Sequence, residues 1–194
     1  MYYTQTVKDM FKLPPDDFNK DIEEVAGQIL QKKYSGTIDK DSGVIVKVYN
    51  VREISDGMIY PGDPSTHHEV QFDMLSYLPY VDEIVIGEVS EIAEFGAFVR
   101  IGPIDGLVHV SQITNDFLSF DKKTQQFASK RSGRSLKKGD VVYAKISTVS
   151  MKNSVRDSKI ALTMKPDGLG KPEWVAEGDR AKRRGEKGSG GSRR

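Results

Sequence analysis

The sequence predicts an α+β chain in two parts. A strand, one helix and two or three antiparallel strands run to about Pro79, and five short strands follow to about Met164. Two observations carry this reading. One stretch alone has apolar residues at helical spacing, while the others alternate or are rich in β-branched residues. Gly and Pro clusters separate the periodic segments at intervals that suit turns.

Met1 to Met10 mixes aromatic and β-branched residues and reads as a strand, stopped by Pro14-Pro15. Asp16 stands as N-cap for a helix expected from about Asp17 to Tyr34. Phe18, Ile22, Val25, Ala26, Ile29 and Leu30 form one apolar stripe, the mark of a core-packing helix. Asp17, Asp21, Glu23 and Glu24 favour its start, Lys32 and Lys33 its end, and Gly36 terminates it. Gly43 to Ile54 reads as a strand whose rhythm shifts at Asn50-Val51, the sign of a bulge. Asp56-Gly57 marks a turn, Pro61 to Ser65 a longer loop, and Glu69 to Tyr77 the next strand.

The second part opens with Ile84 to Val89 and continues with Gly96 to Ile101, where Ala97, Val99 and Ile101 oppose Phe98 and Arg100. GPIDG turns the chain into Leu107–Val110, where Val108 and Val110 oppose Leu107 and His109. Asp116 to Ser135 reads as an irregular polar insertion. Its Lys130, Arg131 and Arg134, with Lys137 and Lys138 after them, fit either a solvated loop or a phosphate-contacting patch. Val141 to Val149 turns Val142, Ala144 and Ile146 inward and Tyr143 and Lys145 outward. Lys159 to Met164 turns Ile160 and Leu162 inward and Lys159 outward. Trp174 is expected to fold back onto the body. Phe95 and Phe98 are thus displayed near Arg100 and His109. Exposed aromatics on a strand surface suit base stacking, worth roughly 1–3 kcal/mol per base. Phe95 packing beneath the insertion or against a partner, His109 capping a turn, and Arg100, Lys145 and Lys159 as ordinary surface charge are the structural alternatives.

The 194 residues carry 29 Lys or Arg and 28 Asp or Glu, a net charge of +1 that hides an asymmetry. Residues 1–80 hold 8 basic and 13 acidic side chains, residues 81–177 hold 14 and 13, and residues 178–194 hold 7 and 2. Nucleic-acid binding is therefore expected from the second part or the tail, the tail being expected to be disordered. The absence of Cys excludes disulfides, thiolate metal sites and Cys nucleophiles. Three His, no Gly-rich phosphate loop and no metal-ligand spacing argue against an enzyme and against any cofactor or metal. No run reaches the roughly 18 apolar residues of a membrane span, and no leader pattern opens the chain, so a cytoplasmic location is expected.

The run GEVSEIAEFGAFVRIGPIDGLVHVSQI resembles the S-one type OB domain, with G-x-V, FGAFV and GLVH-V-S at the family's spacing. That resemblance implies a five-stranded OB-fold β-barrel binding single-stranded RNA on one face, here Phe95, Phe98, Arg100, His109, Lys145 and Lys159. A wider resemblance joins the opening MYY, PP-x-x-F-x-x-D-I, GVIVKV-x-x-V-x-x-I, PGDPSTHHEVQFD and the barrel motif across about 175 residues. Together they resemble the larger stalk subunits of DNA-directed RNA polymerase, a family shared by the archaeal enzyme and, as its seventh subunit, by eukaryotic RNA polymerase II. The resemblance implies a truncated RNP-like docking domain over 1–80, the barrel over 81–177 and a basic tail over 178–194. It also implies a non-catalytic subunit in a heterodimer with a small helical partner, the other half of the stalk. The tip that would dock on the polymerase core corresponds to Gly57, Pro61, Gly62 and Asp63, with Met58, Ile59 and Tyr60 as apolar anchors. The alternative is a free-standing RNA-binding factor of translation or RNA decay.

Overall fold

The computed structural model describes residues 1–39, 41–152 and 154–177; the basic tail lies outside the described residues. The chain divides into two compact units, Met1–Leu78 with Met151–Ser158, and Pro79–Ser150 with residues 159–177. The division falls at Leu78–Pro79, and the polar loop after the fourth barrel strand belongs to the first unit.

In the first unit, β1 (Tyr2–Leu13) pairs antiparallel with β5 (Thr66–Tyr77) along its whole length, from Tyr2 opposite Tyr77 to Leu13 opposite Thr66. On the other side of β5 lies β3 (Gly43–Arg52), then the two-residue β2 (Ile38–Asp39). The helix α1 (Ile22–Tyr34) packs on this sheet. It starts later than its apolar spacing predicts, because Asp21, not Asp16, is the N-cap. Asp21 accepts hydrogen bonds from the N–H groups of Glu23 at 2.9 Å and Glu24 at 3.1 Å. The Pro15–Asp17 segment forms a single 3-10 turn instead, and Phe18 stays 47% exposed, outside the stripe. Val25, Ala26 and Leu30 meet Phe11, Ile45, Val48, Val70, Phe72 and Met74 in one core. The Phe72 ring is fully buried. Phe72→Ala is expected to destabilise this unit by about 3–5 kcal/mol, measured as a fall in urea midpoint at unchanged m value.

The second unit is a closed barrel in the order β12-β13-β8-β7-β6. Its strands are β6 (Ile84–Ala93), β7 (Gly96–Arg100), β8 (Asp105–His109), β12 (Val141–Ser150) and β13 (Lys159–Thr163). All neighbours are antiparallel except β13 and β8. Alternate residues fill the interior: Val85 and Val89, Ala97 and Val99, Val108, Val142, Ala144 and Ile146, Ile160 and Leu162. Gly96 must be glycine for closure, since a Cβ there would lie 2.3 Å from the Val108 carbonyl oxygen. The five barrel strands lie where alternation places them, except that Val110, expected to share the face of Val108, falls in the 3-10 turn Val110–Gln112 that follows β8. The insertion is less irregular than its composition suggests. It folds as a three-stranded antiparallel sheet of β9 (Ser119–Asp121), β10 (Gln126–Ala128) and β11 (Ser135–Lys137). Phe120, Phe127 and Leu136 lie opposite one another on one face, with Phe127 and Leu136 fully buried. Trp174 is buried, as expected, beneath the Arg134 guanidinium.

Candidate nucleic-acid interface

The six residues singled out on the barrel occupy its outer surface, on or beside four consecutive strands. Phe98 and Arg100 lie on β7, His109 on β8, Lys159 on β13 and Lys145 on β12, with Phe95 in the turn before β7. Phe95 is 51% exposed and meets Phe98 edge to face, 6.0 Å between ring centroids. Phe98 is half-buried. The turn is pinned to the end of β8 by the Val110 N–H donating to the Phe95 carbonyl at 2.9 Å. A base stacking here would meet a rigid aromatic pair.

His109 does both of the things open to it from sequence. Its ring is exposed, and its Nδ1 accepts the Ser111 N–H at 3.2 Å, capping a short helical turn, with Ser111 Oγ at 2.8 Å. That fixes Nδ1 as the acceptor and leaves the Nε2–H to point outward as a donor. Lys159 is exposed, while Lys145 is half-buried and its ammonium lies 2.6 Å from Asp82. Lys145 is thus the least available cation of the set. Arg100 is exposed but sits 3.7 Å from Asp105.

Two carboxylates share this surface, and alternation alone does not place the second. Glu88 lies directly across from Arg100, and Glu91 directly across from Phe98. Strict alternation from Val85 and Val89 would turn Glu91 inward; a bulge between Val89 and Glu91 turns it out again. The signal was available, because an unpaired carboxylate does not sit inside a barrel. The face is therefore aromatic and nearly charge-balanced, which suits stacking more than phosphate binding.

The other candidate surface is the hairpin tip of the first unit. Two residues, Met58–Ile59, form β4, pairing with His67 and Thr66 of β5. Met58 is 48%, Ile59 71% and Tyr60 46% exposed. The loop beneath them is tightly held. His68 is buried; its Nδ1–H donates to the Ser55 carbonyl at 2.9 Å, and its Nε2 accepts from Thr66 Oγ1 at 2.8 Å. Gly57 passes over that ring so closely that a Cβ would lie 2.8 Å from it. Tyr60 packs edge-on against His67. The Asp63 N–H closes a turn on the Tyr60 carbonyl around Pro61 and Gly62, whose φ is +86°. The Lys12 ammonium at 2.8 Å, His67 Nε2 at 3.0 Å and the Ser65 N–H hold the Asp63 carboxyl well below the usual carboxylate range. The seven tip residues thus form one ordered hairpin with three apolar side chains outward.

Behind the tip, Asp73 ties the bulged end of β3 to the sheet. It accepts from Arg52 at 2.8 and 3.0 Å, Asn50 at 2.6 Å and Thr6 at 2.7 Å. Arg52 above all, then Asn50 and Thr6, press its carboxyl well below the usual range. A depressed folded-state pKa stabilises fully above the unfolded value of about 3.9 and is lost as pH falls toward the folded value. Asp73→Asn is therefore expected to lower the melting temperature at pH 7, with the gap to wild type narrowing progressively as pH falls below about 4. Melting curves across that range check this.

Among the described residues, no three His, Asp or Glu side chains converge to hold a metal ion, and no helix is long and apolar enough to cross a membrane. Residues 8–64 match the family described as the SHS2 domain found in the N terminus of Rpb7p/Rpc25p. Residues 78–159 match the S1 RNA binding domain. The chain is similar to DNA-directed RNA polymerase subunit Rpo7 of Sulfolobus acidocaldarius, 42% identical over 175 residues, 90% of this chain and 95% of that one. It is similar to DNA-directed RNA polymerase III subunit RPC8 of Bos taurus, 23% identical over 64% of this chain and 61% of that one. Ribonuclease R of Escherichia coli is 35% identical over 115 residues, which take in 57% of this chain but 14% of that protein.

Proposed function

The chain belongs to the Rpo7 family of DNA-directed RNA polymerase subunits, and on that premise we propose how its two surfaces divide the work of a non-catalytic stalk subunit. The tip hairpin, Gly57 to Asp63, docks on the polymerase core through Met58, Ile59 and Tyr60. The barrel surface at Phe95, Phe98, Arg100, His109 and Lys159 takes the emerging single-stranded transcript, with Lys145 at its edge. A small helical subunit pairs with the chain. Transcript contact supports processivity, and tip contact supports initiation. The protein works in the cytoplasm.

One observation carries this reading: three apolar side chains stand exposed on a hairpin held by strand pairing and the Asp63 turn. Exposed apolar groups on a rigid support suit a preorganised anchor, which loses little entropy on docking. On the barrel, the aromatic pair supports binding that tolerates any base, because every base has a π face. Near charge balance implies weak affinity with a shallow salt dependence. The similarity to ribonuclease R favours a free-standing RNA-binding role for the barrel alone. The similarity to Rpo7 across both units weighs more.

The test is a tagged pull-down of the full chain from native lysate, with co-purifying chains identified by mass spectrometry. Recovery of the large polymerase subunits and one small helical chain through a moderate salt wash is the expected result. Recovery of ribosomal or RNA-decay proteins without polymerase would overturn the docking proposal.

A further inference from the structure

The insertion sheet carries the positive charge that the aromatic face lacks. Residues 119–138 hold seven Lys or Arg and one Asp. The turn between β9 and β10 presents two of them, Lys122 and Lys123, both exposed. That turn is built to hold its shape. Asp121 accepts the Lys123 N–H at 2.9 Å and the Thr124 hydroxyl at 2.8 Å, and these bonds lower its pKa. Lys122 lies 3.6 Å from Glu94, the residue before Phe95. The lysine turn therefore reaches the residue next to the aromatic pair. Both side chains of that ion pair are largely exposed, so the pair is weak and open to exchange for a phosphate.

A second observation lies at the other end of β9. Phe117 is 88% exposed, the highest value among the exposed large apolar side chains of the described residues. Lys122 follows it by five positions in the chain, at most about 18 Å when extended. Arg134 is not part of this set, because its guanidinium covers Trp174.

We propose that the Lys122–Lys123 turn and Phe117 form a second contact for single-stranded RNA, continuing the strand path beyond the Phe95–Phe98 face. This rests on the reading of that face as an RNA surface. Lys122 and Lys123 take backbone phosphates, and Phe117 stacks one further base. Cations between stacking aromatics are what sequence-tolerant single-strand binding requires. The site lengthens the bound RNA without adding base selectivity.

The test uses the full chain and fluorescence anisotropy with labelled uridine oligomers of about 5 and about 20 nucleotides. On the long oligomer, Lys122→Ala with Lys123→Ala should reduce the slope of log affinity against log salt by about 1.4, two phosphates at roughly 0.7 each. Phe117→Ala should weaken the long oligomer about tenfold. Neither should change binding of the short one. Glu94→Gln frees Lys122 and should tighten the long oligomer, a gain that misfolding cannot mimic. The inference fails if these variants match wild type on the long oligomer while Phe98→Ala still weakens it; the aromatic-face reading then stands alone. It also fails if Phe117→Ala leaves RNA affinity intact and instead abolishes co-elution with the small helical partner, which would make Phe117 a protein contact. If wild type binds neither oligomer, the aromatic-face reading fails, and this inference with it.

Discussion

A chain carrying Met58→Asp and Ile59→Asp should fold as the parent does and no longer co-purify with the polymerase core. Both side chains are exposed, and the hairpin is held by backbone pairing, the Asp63 turn and the His68 bonds rather than by these two residues. Substituting them therefore leaves the first unit's core intact. Anchors of this kind contribute about 2 kcal/mol or more each at an interface. Two carboxylates left desolvated in a docking pocket would cost further. The combined effect is a loss of roughly a thousandfold or more in affinity for the core. Circular dichroism and a melting curve verify the fold, and retention of the polymerase subunits in a pull-down reads the effect. Retention at wild-type level would move the docking site away from the tip.

The second large effect is on RNA. Phe98→Ala with His109→Ala should weaken single-stranded RNA binding by about 1–3 kcal/mol for the ring, with a further loss for the outward Nε2–H donor. The salt slope should hardly change, because neither residue contacts a phosphate through a charge. That separation distinguishes a stacking surface from an electrostatic one, and filter binding at several salt concentrations reads both terms. Phe98 also supports Phe95 edge-on, so Phe95→Ala alone should show part of the same loss. Arg100→Ala should have a small effect, since its guanidinium already faces Asp105, and Glu88 stands opposite it on β6.

The barrel strands were legible because small or apolar residues recur at every second position in each, and a closed barrel makes inside and outside unambiguous. The bulge near Asn50 was legible for the same reason: the apolar rhythm slips there, and Asn50 takes a φ of +53°. The start of α1 was not. Both Asp16 and Asp21 are capable caps, and only the backbone bonds to Glu23 and Glu24 decide between them. The insertion sheet was not legible either. Its strands are three residues long, too short for a period, and Phe120, Phe127 and Leu136 meet only through pairing across the sheet. At the candidate sites, outward residues followed from alternation, but what they face did not. Asp82 beside Lys145, Asp105 beside Arg100 and Glu91 across from Phe98 depend on register, and the Glu91 position depends on a bulge. Which unit would take polymerase and which RNA came from motif resemblance, since neither periodicity nor charge names a partner.

The most direct test of one chain serving both polymerase and transcript is photocrosslinking within a transcribing complex. Polymerase holding the full chain would extend a transcript containing 4-thiouridine near the RNA exit, and irradiation would be followed by peptide mapping. The account predicts crosslinks on this chain within the segment from Phe95 to His109, lost in the Phe98→Ala/His109→Ala variant and absent from residues 1–78. Crosslinks confined to the core subunits, or falling on residues 1–78 of this chain, would contradict it.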